Sequence, residues 1–252
     1  MVIAIDGPAG SGKSTAAKLI ALKLGIVFLN SGSFYRGITL IAQRRGVVSR
    51  RASARAAFTP EQEAGLAALA RGLSIDYKDS RLVIDGEDVE DLLHSDAVDA
   101  DVSLVSAITP LRHIVNAHIR RLTGRSGQGV GSSGLSAPAG NCPLPPAPCP
   151  LSIVCEGRDM TTVVFPDADY KFYLDASIDV QAERRFKQGV SALSLDEIKE
   201  AIRVRDENDK KKAEGALKIA SDAYYIDTSD LTIDKVCDII LGKIFIPRVT
   251  YG

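Results

Sequence analysis

Eight residues near the start of the chain, Gly7-Pro8-Ala9-Gly10-Ser11-Gly12-Lys13-Ser14, have the types and spacing needed to hold a phosphate. They fit G-x-x-x-x-G-K-[ST], the phosphate-binding loop. Glycines at 7, 10 and 12 let the backbone turn its N–H groups inward as a concave array of donors for an anion. Lys13 adds a mobile positive charge, and the Ser14 hydroxyl is placed to ligate a magnesium ion bridging two phosphates. Thr15 opens a helix-forming stretch over residues 15–24, whose start contributes its positive dipole end. The apolar run 1–5 supplies the strand before the loop.

Further candidates sit where other apolar runs end. Residues 26–29 read as a short buried strand delivering Asn30-Ser31-Gly32-Ser33-Phe34-Tyr35-Arg36 to the place where ligands sit in open α/β sheets. Ser31 and Asn30 can hydrogen-bond a ligand, Tyr35 offers a flat face and Arg36 a bidentate fork. The same stretch also fits a polar helix cap followed by core aromatics. Residues 151–155 read as a central parallel strand running out into Glu156-Gly157-Arg158-Asp159-Met160, where an acid is placed to organise magnesium.

Two helices carry charge in register. Over 110–122, Arg112, Asn116 and Arg120 recur at intervals of four, either to grip an anion or as a solvated face. Ser194-Leu195-Asp196-Glu197 is a capping box. From it an apolar stripe, Leu195, Ile198 and Ile202, continues at helical spacing into Arg205, Asp209 and Lys212. A core-facing stripe that turns ionic meets a partner charge or a polar cleft.

The elements that must position these groups alternate strand and helix, with one interruption. A helix over 58–73 is followed by two alternating runs, 73–77 and 82–86, around a Lys78-Asp79-Ser80 turn, read as a β-hairpin inserted in the βα pattern. A strand at 170–174 precedes a helix with Arg184, Arg185 and Lys187. A last strand and polar turn at 223–229 leads to an amphipathic helix over 233–244. The expected fold class is α/β: a P-loop NTPase-type parallel sheet flanked by helices, with an inserted hairpin/helix subdomain and a helical lid. Within 1–252 as a single domain, the core is expected at 1–72 and 151–245, the insert at about 73–122 and the lid at about 183–213.

Residues 123–150 differ in kind. Gly, Pro and Ser dominate them and apolar periodicity is almost absent, which predicts a disordered loop. The proline run at 143–148 also fits a polyproline ligand.

The chain has 252 residues with a formal net charge of −1, so its bulk charge calls for no polyanionic partner such as duplex DNA. It shows neither a signal-peptide pattern nor an apolar stretch long enough to span a bilayer, and a cytoplasmic location is expected. Cys142, Cys149, Cys155 and Cys237 lack metal-binding spacing and read as free thiols.

Taken together, these motifs resemble the bacterial cytidylate kinases, of the P-loop nucleoside monophosphate kinase superfamily. The resemblance rests on residues 5–15, on Ser31-Gly32-Ser33-Phe34-Tyr35-Arg36, on Gly86-Glu87-Asp88-Val89, on Gly157-Arg158-Asp159-Met160 with the Val-Val-Phe-Pro-Asp-Ala run at 163–168, and on Arg205-Asp206 with Asp209. It covers nearly all of the chain outside 123–150. It implies ATP as donor with Mg2+, CMP and dCMP as acceptors, no nucleic-acid or membrane partner, and a monomer. It implies that Ser31, Tyr35, Arg36, Arg112, Arg158, Asp159, Asp209 and Lys212 hold the monophosphate, with Ser31, Arg158 and Asp159 at the cytosine, Asp209 at the sugar and Lys212 at the acceptor phosphate. It implies that Lys13, Arg158, Arg184 (or Arg185) and Arg205 act on the transferring phosphoryl. The chain departs from the family pattern at Asn30 for Asp, Glu156 for Asp, Thr161 for Gly and Lys212 for Arg, and Leu92-Leu93-His94 lacks the arginine often found in the insert.

Three other readings stay open on the residues alone. They are a kinase of UMP or AMP, a nucleotide-binding regulator without turnover, and a scaffold recruited through the proline-rich segment.

Overall fold

The computed structural model describes residues 1–48, 58–78, 80–124, 152–189 and 193–245. Its centre is a five-stranded parallel sheet built from β1 (Val2–Asp6), β2 (Val27–Asn30), β6 (Ile153–Gly157), β7 (Tyr170–Asp175) and β8 (Tyr224–Asp227), in the order β2-β6-β1-β7-β8. All five residues of β1 are buried, as expected for a central strand covered on both faces. Register pairs Asn30 with Glu156 and Asp6 with both Gly157 and Tyr173. The polar ends of four strands therefore finish on one edge of the sheet.

One face of the sheet is covered by α1 (Lys13–Leu24) and α8 (Ile233–Phe245), whose Ile20, Val236 and Ile240 pack with Ile3, Ile5 and Phe172. The other face carries α2 (Ser31–Arg44), α3 (Pro60–Gly72) and α5 (Thr109–Leu122). Residues of the insert, such as Leu82, Ile84 and Val115, share one apolar cluster with Val2, Leu29 and Cys155 of the central strands. The insert is thus seated on the sheet rather than held away from it.

The insert contains more than a hairpin and one helix. β3 (Ile75–Lys78) and β4 (Arg81–Ile84) pair antiparallel as expected, and a third short strand, β5 (Glu87–Asp88), adds to β4. An additional helix, α4 (Asp96–Val105), stands before α5 and packs on α2. Thr123, assigned to the loop by composition, is buried and donates its hydroxyl to the Arg120 carbonyl at the end of α5. Residues 125–150, with Cys142, Cys149 and the proline run, lie outside the described residues. Cys155 and Cys237 are buried, and the Cys155 thiol donates to the Ile3 carbonyl at 3.5 Å.

The stretch expected as a lid, about 183–213, holds the end of α6 (Ile178–Lys187) and all of α7 (Leu195–Lys211). The capping box of α7 is formed, with Ser194 and Glu197 bonded reciprocally. The stripe along it needs one correction: Ile198 and Ile202 are buried against Ala182, but Leu195 is 41% exposed. As the first residue of the helix it stands outside the small apolar cluster that Ile198 and Ile202 form with Ala182. Among the described residues no helix is long and apolar enough to cross a membrane.

Candidate functional site

The loop 7–14 leaves β1 at the polar edge of the sheet and lines one wall of a cleft of about 1260 Å3. Gly10 adopts φ 73°, and a side chain there would meet the backbone of Gln181 on α6 at 2.9 Å. Glycine is thus required both for the turn and for the close seat of the lid. Lys13 donates through Nζ to the Pro8 carbonyl at 3.0 Å. Burial, with the Arg158 charge next in weight, pulls its ammonium down to about 7. A negative charge in the loop reverses that balance.

Ser14 donates through Oγ to Glu156 Oε1 at 2.8 Å, so a hydroxyl and a carboxylate face each other beside the loop. Magnesium takes most of its ligands from water and nucleotide phosphates and needs only one or two protein oxygens. The pair, one hydroxyl and one carboxylate, fits that demand.

The opposite wall comes from α2, α5 and the turn after β6. Asn30 caps α2 through its side chain, which accepts from the Gly32 N–H at 2.8 Å. The cap reading of this stretch therefore holds, while Ser31, Tyr35 and Arg36 still line the cleft. Tyr35 is mostly buried, and its ring lies 5.6 Å from the Arg112 guanidinium. Arg36 donates to Asp99 at 2.5 Å and to the Leu93 carbonyl at 3.0 Å. Gly157 is needed for close approach: a side chain there would meet Ser31 Oγ at 2.6 Å and Met160 at 2.8 Å.

The arginine row of α5 is no solvated face. Arg112 is 3% exposed and donates to Asp159 and, at 2.9 Å, to the Ser106 carbonyl. Arg120 is buried and donates to the Val164 carbonyl. The two arginines grip the start and the end of one segment. Burial pushes the Asp159 carboxyl up against the pull of Arg112.

The lid closes the third side. Arg158 donates through Nε to Asp209 at 2.7 Å and through Nη1 to the Gly7 carbonyl. Lys212 pairs with the other Asp209 oxygen at 2.9 Å. Burial pushes Asp209 up, but Arg158 and Lys212 outweigh it and hold the carboxylate below its usual range. Asp206 accepts from the Ala9 N–H at 3.3 Å, tying α7 to the phosphate loop. Arg205 faces the cleft, and burial together with Arg158 lowers its pKa. Of the two lid arginines, Arg184 is the one bonded to the loop, donating to the Gly10 carbonyl at 3.3 Å and to Thr228; Arg185 also lines the cleft but donates to Gln188 at 3.3 Å.

The structure thus brings Lys13, Ser14, Ser31, Tyr35, Arg36, Arg112, Arg158, Asp159, Arg184, Arg205, Asp209 and Lys212 to one cleft. Seven of these side chains are cationic and stand against a cradle of N–H donors, an arrangement able to gather two phosphate-bearing ligands and neutralise charge passing between them. Sequence reasoning missed Asp99, because α4 was missed. It also gave no role to Asp6 and Asp206, whose partners lie more than 150 residues away.

The cytidylate kinase family model matches residues 3–130 and 147–245. The chain belongs to the cytidylate kinase family. Among its relatives, cytidylate kinase 1 of Borreliella afzelii (strain PKo) is 36% identical over 249 residues, covering 99% of both chains. The cytidylate kinase of Borrelia duttonii (strain Ly) is 37% identical over 246 residues, 96% of each. Among solved structures, shikimate kinase from Acinetobacter baumannii in complex with shikimate overlays 96% of this chain and 92% of that one, at 16% identity and a TM-score of 0.41.

Proposed function

We propose that this cytidylate kinase family member transfers the γ-phosphoryl group of ATP to the 5′-phosphate of CMP or dCMP, giving ADP and CDP or dCDP. The observation that carries the reading is one cleft shared by two sets of groups, in a chain of this family. The phosphate loop lies on one side, and the Ser31, Arg112 and Arg158-Asp159 group lies on the other.

The loop N–H groups and Lys13 bind the donor phosphates. Magnesium, when bound, neutralises charge on the donor phosphates; Ser14 would hold it, with Glu156 at its side. Ser31, Arg158 and Asp159 read the cytosine edge, where hydroxyl and carboxylate acceptors meet the ring amino group. Arg36, Arg112 and Lys212 take the acceptor phosphate, Tyr35 lines its site and Asp209 takes the sugar hydroxyls. An acceptor oxygen attacks the γ-phosphorus in line as the bond to the β-phosphate bridge breaks. Arg158, Arg184 and Arg205 spread the charge carried by the moving group. We read the protein as a cytoplasmic monomer supplying pyrimidine diphosphates.

The test is ADP release with ATP and Mg2+ when CMP, dCMP, UMP, AMP and GMP are offered one at a time. Preference for CMP and dCMP supports the reading. Preference for another base moves the specificity argument to Asn30 and Lys212, and no turnover with any of them overturns it.

A further inference from the structure

The turn after β6 that presents Arg158 and Asp159 is wound as a short π-helical segment, Met160–Val164, with Asp159 at its N-cap. An aspartate in that position normally turns its own carboxylate back on the first free N–H groups of the helix. Asp159 makes no such bond and extends instead to Arg112. The free N–H groups go to a different carboxylate. Asp6, at the end of the neighbouring strand, is fully buried. It accepts from the Met160 N–H at 2.8 Å, the Thr161 N–H at 2.8 Å and the Thr161 hydroxyl at 2.6 Å. The far end of the segment is held by Arg120 on the Val164 carbonyl.

We infer that Asp6 is a positioning residue that caps this segment in place of Asp159, leaving the Asp159 carboxylate turned away from its own helix, toward Arg112 and the monophosphate, and that the Thr161 hydroxyl reinforces it. This rests on the proposed CMP kinase reading. The logic is one of competing acceptors: a carboxylate satisfied by its own helix is unavailable to a ligand, and one relieved of that duty is available. Thr161 is a departure from the glycine usual in the family, and a glycine there leaves Asp6 with the two backbone bonds alone. Burial pushes the Asp6 carboxyl up to about 6, while the Thr161 hydroxyl and both N–H groups pull it back. The groups facing it are Asp159 on the turn, which raises it, and Tyr173 on β7, with Arg158 beside Tyr173. Losing the hydroxyl therefore favours the protonated form, which has given up acceptor capacity.

The experiment compares Thr161→Val, Thr161→Ser and Asp6→Asn with the unaltered protein, in steady-state kinetics at pH 6 and pH 8. For Thr161→Val the KM for CMP rises about fivefold at pH 8, the worth of one net hydrogen bond. The rise is larger at pH 6, while the KM for ATP and kcat stay within about twofold. Thr161→Ser restores the unaltered values. Asp6→Asn, which turns donors toward donors, raises the KM for CMP further than that for ATP. If Asp6→Asn does not fold, the threonine pair decides. The second ionisation of CMP is common to all the proteins and cancels in the ratios. An unchanged KM for CMP in Thr161→Val, an equal rise for ATP, or a serine variant no better than valine overturns the inference. Failure of the unaltered protein to phosphorylate CMP overturns the kinase reading instead.

Discussion

Arg158 at the end of β6 and Asp209 on α7 form an ion pair at 2.7 Å, joining the turn that faces the monophosphate to the lid. Both are largely buried, Arg158 at 16% and Asp209 at 8% exposure, so removing Asp209 leaves the Arg158 charge poorly compensated, whereas without Arg158 the Asp209 carboxylate keeps only Lys212 of its two cationic partners. We expect Arg158→Ala to lower kcat by about 10²–10³-fold, the usual effect of losing one donor to a developing charge. In a double-mutant cycle with Asp209→Ala, the two losses in kcat/KM will fall short of additivity by about 1–3 kcal/mol. Additive losses would show that the pair does not act as a unit.

Lys13 gives a proton signature. In the free protein its ammonium lies at about 7, pulled down by burial. ATP brings negative charge to it and raises that value. At pH 8 the free lysine is mostly neutral and the complexed one charged, so donor binding takes up a proton; at pH 6 it is charged in both states and takes up none. Titration calorimetry at each pH in two buffers of different ionisation heat measures the difference. The free protein carries the same sign: between pH 7 and the usual lysine value the unfolded chain binds more protons, so this group makes stability rise with pH.

Lys212 meets Asp209 at 2.9 Å with a single ammonium. Arginine at this position supplies a planar fork able to hold Asp209 and a phosphate together. Lys212→Arg is expected to lower the KM for CMP several-fold with little change in that for ATP, read in steady-state kinetics. A raised KM would mean that the ammonium is the better fit to this cleft.

Gly157→Ala tests the monophosphate wall without touching charge. A Cβ there would press on Ser31 Oγ at 2.6 Å and on Met160 at 2.8 Å. Met160 is flexible, but the serine sits at the first position of α2. The KM for CMP should rise about tenfold or more, as expected for small displacements in a positioned site. ATP affinity, followed by equilibrium binding, should hold.

Much of this site was legible in the chain. The central strands read as unbroken apolar runs because both faces of the sheet are covered, and the loop motif needs only local backbone geometry. The capping box at Ser194 marked one helix start; the one that forms at Thr59 sets the start of α3 at Pro60, two residues inside the expected 58–73. What stayed hidden depends on distance. α4 follows the short insert strands with no side-chain cap at Ser95 to mark its start, and Asp99 was lost with it. Spacing placed Arg112 and Arg120 on one face but did not say what that face meets; Asp159 and the Val164 carbonyl decide it. The service of Asp6 to residues 160 and 161 follows from the parallel pairing of β1 with β6, which no local pattern encodes.

The measurement that bears most directly on the account follows the fate of the γ-phosphate itself. ATP labelled at that phosphate is incubated with CMP, Mg2+ and the protein, and the products are separated. The account predicts one labelled CDP, carrying its label at the β-phosphate, for each ADP formed, and loss of that product in Arg158→Ala. Label released as inorganic phosphate, or ATP left intact beside CMP, would contradict it.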